Sequence, residues 1–299
     1  MKPLQMLAIF LRGGAMGAAD LVPGVSGGTI ALITGIYERL IEAIASIDLE
    51  AVKKALRGDI VGAWKHIDGT FLLLLATGIL CSIFSLASLI EYLVQHQPVM
   101  VWSFFSGLLL ASLILLLKMV LPRSPGCFAF VLSGCALAVL FALLRSAALP
   151  AEGLFIVLGG FIAISAMMLP GISGSFLLLV LGLYEPTLAA VTGLDLLYLL
   201  LFALGAGMGF IFFSRLICYL LHHFHNRTLL FLSGLLAGSL YTTWPWKQEM
   251  DGMSVNISPA AHAEPQLLLA AGCFLLGLGL VLGLHYAGER IRKPGDNAG

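Results

Sequence analysis

Charged residues are scarce in this sequence: only 11% of its 299 residues are Asp, Glu, Lys or Arg, whereas 60% are apolar. With a mean hydropathy of +1.01, the chain has too few polar side chains to cover a water-soluble domain of this length. The shortage of charge excludes an ordinary soluble globule, and the net charge of zero gives no sign of a nucleic-acid partner. We therefore expect an integral membrane protein surrounded by the phospholipid bilayer.

Paired cysteines and catalytic motifs are also absent. The five cysteines are scattered through apolar segments without CxxC spacing, which predicts small core residues rather than disulfides or metal ligands. The cluster "HHFHN" (His222, His223, His225) has no acid or cysteine beside it, and adjacent histidines point apart on a helix, so we expect neither a metal nor another cofactor. Without a nucleophile–base pair, P-loop or zincin motif, we predict that the chain is not an enzyme.

Long uncharged runs dominate the remaining sequence. Several reach the roughly 20 residues that a helix needs to cross a hydrocarbon core of about 30 Å. The six candidate spans lie at about 70–93, 99–121, 127–148, 196–221, 228–244 and 266–287. Because short polar loops separate them, they predict an all-α, polytopic membrane helical bundle rather than a barrel.

Two further apolar segments, about 4–45 and 153–192, are interrupted by a Pro-Gly pair. Proline removes a backbone donor and disfavours helix in the residue before it, so each segment should form two helical arms joined at a hinge. The hinge residues are Pro23, Gly24, Pro170 and Gly171. Such a hairpin either enters the membrane and returns as a re-entrant element or crosses it twice.

The two hinged segments are related by internal repetition. At an offset of 147, eight of the eighteen pairs from Leu21/Met168 to Glu38/Glu185 are identical. At an offset of 127, "FFSGLLLASL" (104–113) resembles "FLSGLLAGSL" (231–240). The pattern predicts two repeats, 1–148 and 149–299, each with one hairpin and three spans. The first contains an extra insert at 46–68 whose mixed charged and apolar residues predict an amphipathic helix on the cytoplasmic surface.

The distribution of basic residues predicts the orientation. With a cytoplasmic amino terminus and alternating spans, fourteen Lys and Arg residues fall on or near the cytoplasmic side, and only Arg145 and Lys247 fall outside. Because each repeat has three spans, the second should enter the membrane from the opposite side. We therefore predict an inverted-topology repeat, cytoplasmic termini, a short basic carboxyl-terminal tail and hinges that point toward each other.

The sequence after each hinge is typical of a helix that starts inside the membrane. Serine is a good N-cap, glycine lets a ligand approach the backbone, and a helix start carries unpaired amides and positive dipole charge. In hydrocarbon, an anion such as phosphate would satisfy those amides. The candidate phosphate-binding residues are Ser26, Gly27, Gly28, Thr29, Ser173, Gly174, Ser175 and, as a counter-charge, Arg12. The alternative is that these small residues only permit a tight hairpin and close packing.

Other polar residues near the hinges have two interpretations each. The tails "GIYE" and "GLYE" contain Tyr37, Glu38, Tyr184 and Glu185, which either lie at the membrane interface or couple and gate transport. Asp20 has no acidic counterpart in the second repeat, which favours a specialised role. Arg145 and Arg215 either bind phosphate or extend to the lipid headgroups.

The paired motifs "PGVSGGT" and "PGISGS", each followed by "GIYE" or "GLYE", resemble the bacterial polyprenyl-phosphate transporter family over essentially the whole chain. The resemblance implies a flippase in the cytoplasmic (inner) membrane that recycles undecaprenyl phosphate, the lipid carrier of cell-wall biogenesis, from the outer to the inner leaflet. By analogy with repeat-built carriers we expect alternating access, with coupling to protons or ions.

Three alternatives stay open at this stage. A secondary transporter of a small soluble anion would use the same hinges, and a structural or assembly role would leave the duplicated helix starts unexplained. An enzyme acting on a lipid phosphate would need catalytic groups that the sequence lacks. The sequence also leaves open a homo-oligomer.

Overall fold

The computed structural model describes residues 3–22, 25–120, 125–143, 149–250, 253–262 and 264–292. Its helices confirm the predicted polytopic helical bundle. The first half contains α1 (Pro3–Asp20), α2 (Gly27–Ile33), α3 (Tyr37–Ala45), α4 (Leu49–Leu56), α5 (Ile60–His66), α6 (Gly69–His96), α7 (Pro98–Val120) and α8 (Pro125–Leu143). The second contains α9 (Gly153–Met167), α10 (Gly174–Val180), α11 (Tyr184–Gly193), α12 (Leu196–Thr242), β1 (Lys247–Met250), β2 (Met253–Asn256) and α13 (Leu267–Arg292).

The six predicted spans correspond to α6, α7, α8, the two limbs of α12, and α13. Within the described ranges, α6, α7 and α12 are each long and apolar enough to cross a membrane on their own. Helix α12 has 47 residues, or about 70 Å, which is more than twice a hydrocarbon core of about 30 Å. It bends at Phe224, where φ is −134° and ψ is 39°, so the chain passes from one limb to the other without a loop.

Each hinged segment forms three helices rather than the two arms expected from the sequence. The second arm is interrupted at Gly35 in one hairpin and at Gly182 in the other, with φ of 70° and 71°. These left-handed glycines end α2 and α10 after seven residues, about 10 Å each. Helices α10 and α11 are then bent by 109°, the geometry of a broken span or a re-entrant loop.

Glycine contacts have the same arrangement in both halves. A Cβ on Gly78 of α6 would lie 2.1 Å from the carbonyl oxygen of Phe10 in α1, and a Cβ on Gly205 of α12 would lie 1.8 Å from that of Val157 in α9. Gly78 and Gly205 are 127 residues apart, which is one of the repeat offsets found in the sequence. The matching contacts support the predicted duplication; that the second half is inverted stays a prediction.

The insert at 46–68 consists of two short helices, α4 and α5, rather than one amphipathic helix. Gly58 separates them with φ of 83°, and Asp59 caps α5 by accepting a hydrogen bond from the amide of Gly62 at 2.8 Å. Large apolar side chains remain exposed on both helices, including Leu56 and Ile60. That exposure agrees with the predicted position on a membrane surface.

The segment between α12 and α13 contains an antiparallel β-hairpin that the sequence did not predict. Strands β1 and β2 pair Lys247 with Asn256 and Met250 with Met253. The indole Nε1 of Trp244 donates to the carbonyl oxygen of Ile257 at 2.9 Å, which ties the hairpin to the end of α12.

Candidate functional site

The first hairpin places Ser26 at the start of α2. Ser26 is 1% exposed and has extended backbone angles, so its hydroxyl reaches back to accept a hydrogen bond from the amide of Gly28 at 3.1 Å. The same hydroxyl donates to the carbonyl oxygen of Met167, at the end of α9, at 2.9 Å. Ser26 therefore caps its own helix and binds the second hairpin at the same time.

Asp20 occupies the position where the sequence predicted an anion. The amide of Gly27 donates to Asp20 Oδ1 at 2.6 Å, so a carboxylate of the protein satisfies the first amide of α2. A Cβ on Gly27 would lie 2.5 Å from Asp20 Oδ2, which explains why this position is a glycine. The expectation that the amides of the first helix start are bare is therefore wrong for this conformation.

The second hairpin has no such internal anion. Ser173 is buried at the start of α10, but its hydroxyl makes no capping bond and instead lies 2.9 Å from the hydroxyl of Ser175. The amides of Gly174, Ser175 and Phe176 have no acceptor within the part of the chain that the structure describes. The residue equivalent to Asp20 is Met167, so only one of the two helix starts carries its own carboxylate.

The two hairpins touch where their helices break. The amide of Gly171 donates to the hydroxyl of Thr29 at 2.9 Å, and the hydroxyl of Tyr37 donates to the carbonyl oxygen of Met168 at 2.9 Å. Tyr37 is thus a buried contact between hairpins rather than an interfacial tyrosine; it is 2% exposed. The backbone around Met168 and Gly171 is held by side chains of the other half.

Only the second hinge can be described. Pro23 and Gly24 lie outside the described residues, whereas Pro170 is buried and Gly171 adopts φ of 86°. The carbonyl oxygen of Gly171 accepts a hydrogen bond from the hydroxyl of Ser239 at 2.8 Å. A Cβ on Gly171 would lie 2.1 Å from that hydroxyl, so both the backbone angle and the close contact require glycine.

Arg12 and Arg215, the two predicted arginines that the structure describes, make no polar contact with the residues that join the hairpins. Arg12 precedes Asp20 by eight residues, or about 12 Å along α1, and makes no polar contact with the described residues. The guanidinium of Arg215 donates to the carbonyl oxygen of Ile47 at 3.4 Å, near the surface insert. Arg145 lies outside the described residues.

Glu38 and Glu185 have different surroundings in the two halves. The carboxylate of Glu38 lies 2.9 Å from His225 Nε2, and that of Glu42 lies 3.5 Å from His222 Nε2. Glu185 and Tyr184 are exposed and have no polar partner among the residues described. The sequence analysis missed the Glu–His pairs because Glu38 and His225 are 187 positions apart and no local pattern connects them.

One group of side chains in the insert has the spacing of metal ligands. Atoms of Asp48, Glu50 and His66 lie within 4.8 Å of one another. The ammonium group of Lys54 lies 2.8 Å from Glu50 and 3.5 Å from His66 Nδ1, and it already provides a positive charge to this group. A satisfied surface cluster explains these contacts without a metal.

Comparisons with known proteins agree on one family. A family model described as "VCA0040-like: Undecaprenyl phosphate translocase-like" matches residues 16–259. A "Polyprenyl-phosphate transporter" of Vibrio cholerae is 40% identical over 97% of this chain and 99% of its own length. A protein of the same name from Staphylococcus aureus is 34% identical over 83% of this chain and 87% of its own length. No solved structure matches the chain. On this likeness, which covers nearly the whole chain, the protein belongs to the undecaprenyl phosphate translocase-like family and is a transporter rather than an enzyme.

Proposed function

We propose that this chain is a flippase that moves a polyprenyl phosphate from the outer to the inner leaflet of the bacterial cytoplasmic membrane. The names of the two relatives support the substrate class. The observation that carries the mechanism is the contact between two broken helices, one of which presents open amides while the other holds a carboxylate.

In this mechanism the lipid phosphate first binds the open start of α10. Gly174 and Ser175 offer amide donors, and the hydroxyls of Ser173 and Ser175 stand beside them. The phosphate then displaces Asp20 from Gly27, so that both helix starts donate to one anion. Most of the prenyl chain stays in the lipid, because moving hydrocarbon out of the bilayer would not lower its free energy.

Alternating access follows from the way the two halves meet. The hydrogen bonds from Gly171 to Thr29 and from Tyr37 to Met168 join the hairpins in this conformation. We expect the opposite conformation to break these bonds and form others as one half moves against the other. Long helices of the two halves also pack against each other, α7 against α13 and α8 against α12, so the movement would have to change this packing as well.

The charge of the substrate requires a driving force. Moving one negative charge inward against a potential of 100 mV, negative inside, costs about 2.3 kcal/mol. A proton taken up by Asp20 would remove the competing charge at Gly27 and accompany the phosphate inward. Asp20 is therefore the proposed coupling residue, and the exposed Glu38 and Glu185 are secondary candidates.

The test is leaflet exchange in proteoliposomes. A fluorescent polyprenyl phosphate is placed in the outer leaflet, and its movement inward is followed with a membrane-impermeant quencher. We expect faster inward movement than in protein-free liposomes, and a further increase when the outside is more acidic than the lumen. Fluorescent phosphatidylglycerol serves as the control lipid. Equal acceleration of both lipids would mean non-selective scrambling and would refute the proposal, as would exchange no faster than in protein-free liposomes.

A further inference from the structure

An apolar cavity of about 550 Å³ lies between α8, the two limbs of α12 and the end of α9. Its volume is within the range of about 300–1,000 Å³ that is typical of small-molecule sites. Leu169 lines the cavity and directly precedes the hinge at Pro170. The cavity therefore reaches from the hairpin contact toward the bend of α12.

The bend in α12 gives the cavity its shape. At Phe224 the two limbs separate, and the hydroxyl of Thr228 lies 3.1 Å from the carbonyl oxygens of both Leu220 and Phe224. Thr228 thereby donates to carbonyl groups before and at the bend. Its hydroxyl is already used, although Thr228 lines the cavity.

Arg227 is the one charged residue among those that line the cavity. Its guanidinium carbon is 5.8 Å from the ring centroids of both Phe130 and Phe224, which also line it. No carboxylate lies within ion-pairing distance of Arg227 in the described ranges. The cavity thus combines an apolar interior with a single cation that has no balancing carboxylate among the described residues.

We propose that this cavity binds the isoprene units next to the phosphate of a polyprenyl monophosphate, with the phosphate itself bound by Arg227. The inference rests on the proposed function and adds the inner-leaflet half of the lipid path. Arg227 lies just after the bend of α12, in a segment that the sequence predicts to be cytoplasmic, and Leu169 adjoins the hairpin contact. A lipid leaving the helix starts would pass Leu169 and bring its headgroup to Arg227.

The chemistry favours a polyprenyl monophosphate over a phospholipid. Lipid tails are as apolar as leucine, so an apolar cavity gains little by taking hydrocarbon from the bilayer, and the affinity must come from the charge. A phosphate monoester carries about −1.5 to −2 charges at pH 7, more than the single charge of a diester. It also presents free oxygens to the fork of a guanidinium. A single chain joined directly to such a headgroup matches one cavity with one cation.

Photo-cross-linking tests the cavity without requiring transport. A benzophenone amino acid replaces Leu216, which lines the cavity, or Leu200, which lies on the same helix outside it and is 68% exposed. The probe is a radiolabelled polyprenyl phosphate in liposomes of phosphatidylethanolamine and phosphatidylglycerol. We expect strong labelling from position 216, suppressed by unlabelled polyprenyl phosphate but not by added phosphatidylglycerol, and weak labelling from position 200. Equal labelling at both positions, or equal suppression by both lipids, would overturn the inference.

The charge is tested by Arg227→Gln, with Lys118→Gln as the matched loss of an exposed cation at the end of α7. We expect Arg227→Gln to weaken polyprenyl-phosphate capture at position 216 by about tenfold or more, as for the loss of a charge-assisted hydrogen-bond pair. Lys118→Gln should leave capture unchanged. Unchanged capture in Arg227→Gln would contradict the assignment. Because capture measures binding and leaflet exchange measures transport, failure of the cavity and failure of the flippase proposal give different results.

Discussion

The hydrogen bond between Gly27 and Asp20 leads to a quantitative prediction for Asp20→Asn. In the native protein the Gly27 amide donates to a carboxylate at 2.6 Å, and asparagine would offer a neutral oxygen in the same place. A hydrogen bond to a charged group contributes about 1.5–3 kcal/mol, whereas a neutral one contributes about 0.5–1.5 kcal/mol. If the phosphate must displace residue 20 from the amide, a loss of about 1–2 kcal/mol should make the lipid bind about 5- to 30-fold more tightly.

The assay is equilibrium binding of polyprenyl phosphate to the purified protein in nanodiscs, measured at several pH values. Native protein should bind more tightly as the pH falls, whereas Asp20→Asn should bind tightly with little pH dependence. Asp195→Asn is the matched control, because Asp195 also accepts a backbone amide, that of Tyr198 at 3.1 Å, at the start of α12. Binding to Asp20→Asn no tighter than to native protein, or an equal gain in Asp195→Asn, would refute the displacement of Asp20 by phosphate.

Two further predictions concern the stability of the fold. Gly78→Val and Gly205→Val should each lower the free energy of unfolding of the detergent-solubilised protein by about 1–3 kcal/mol or more, because each Cβ would collide with a backbone carbonyl. Gly272→Val is the control, because that glycine has open space around it, and it should leave the melting temperature unchanged. Similar melting temperatures for all three variants would contradict the packing. The hydrogen bond from the amide of Ala51 and, to a lesser extent, His66 hold the pKa of Asp48 below its ordinary value. Asp48 therefore stabilises α4 fully at a pH above that ordinary pKa, and this stabilisation is lost as the pH falls toward the lower pKa of the folded state. Limited proteolysis of the insert should accelerate at acidic pH in native protein and depend less on pH in Asp48→Asn, and an identical pH profile in both would disprove the cap.

Strong local signals in the sequence were enough to predict the helical bundle. Uncharged runs have the length of a membrane span, and each Pro-Gly pair ends a helix for a steric reason that does not depend on tertiary contacts. The left-handed turns at Gly35 and Gly182 were missed because glycine within an apolar run is also common at close helix contacts. Gly78 and Gly205 show that second use in the same chain. Local sequence does not distinguish the two uses.

The two helix starts were predictable from the sequence, but the contacts made there were not. Ser26 and Ser173 lie at helix starts as expected, yet their hydroxyls have different partners. That Asp20 would bind Gly27 depends on how the chain turns between α1 and α2, and that Glu38 would meet His225 depends on contacts between the two halves. Arg227 gave no signal because its proposed role depends on a cavity that forms only when α8, α9 and α12 pack together.

The measurement that tests the central claim most directly is leaflet exchange of polyprenyl phosphate by the double variant Ser26→Ala with Ser173→Ala. Its matched control is Ser85→Ala with Ser133→Ala, whose exposed hydroxyls bind only carbonyls of their own helices. With both proteins monodisperse after reconstitution, we predict that the first variant loses about tenfold or more of the native exchange rate and that the control keeps it. Native exchange by the first variant would contradict the assignment of phosphate binding to the two helix starts.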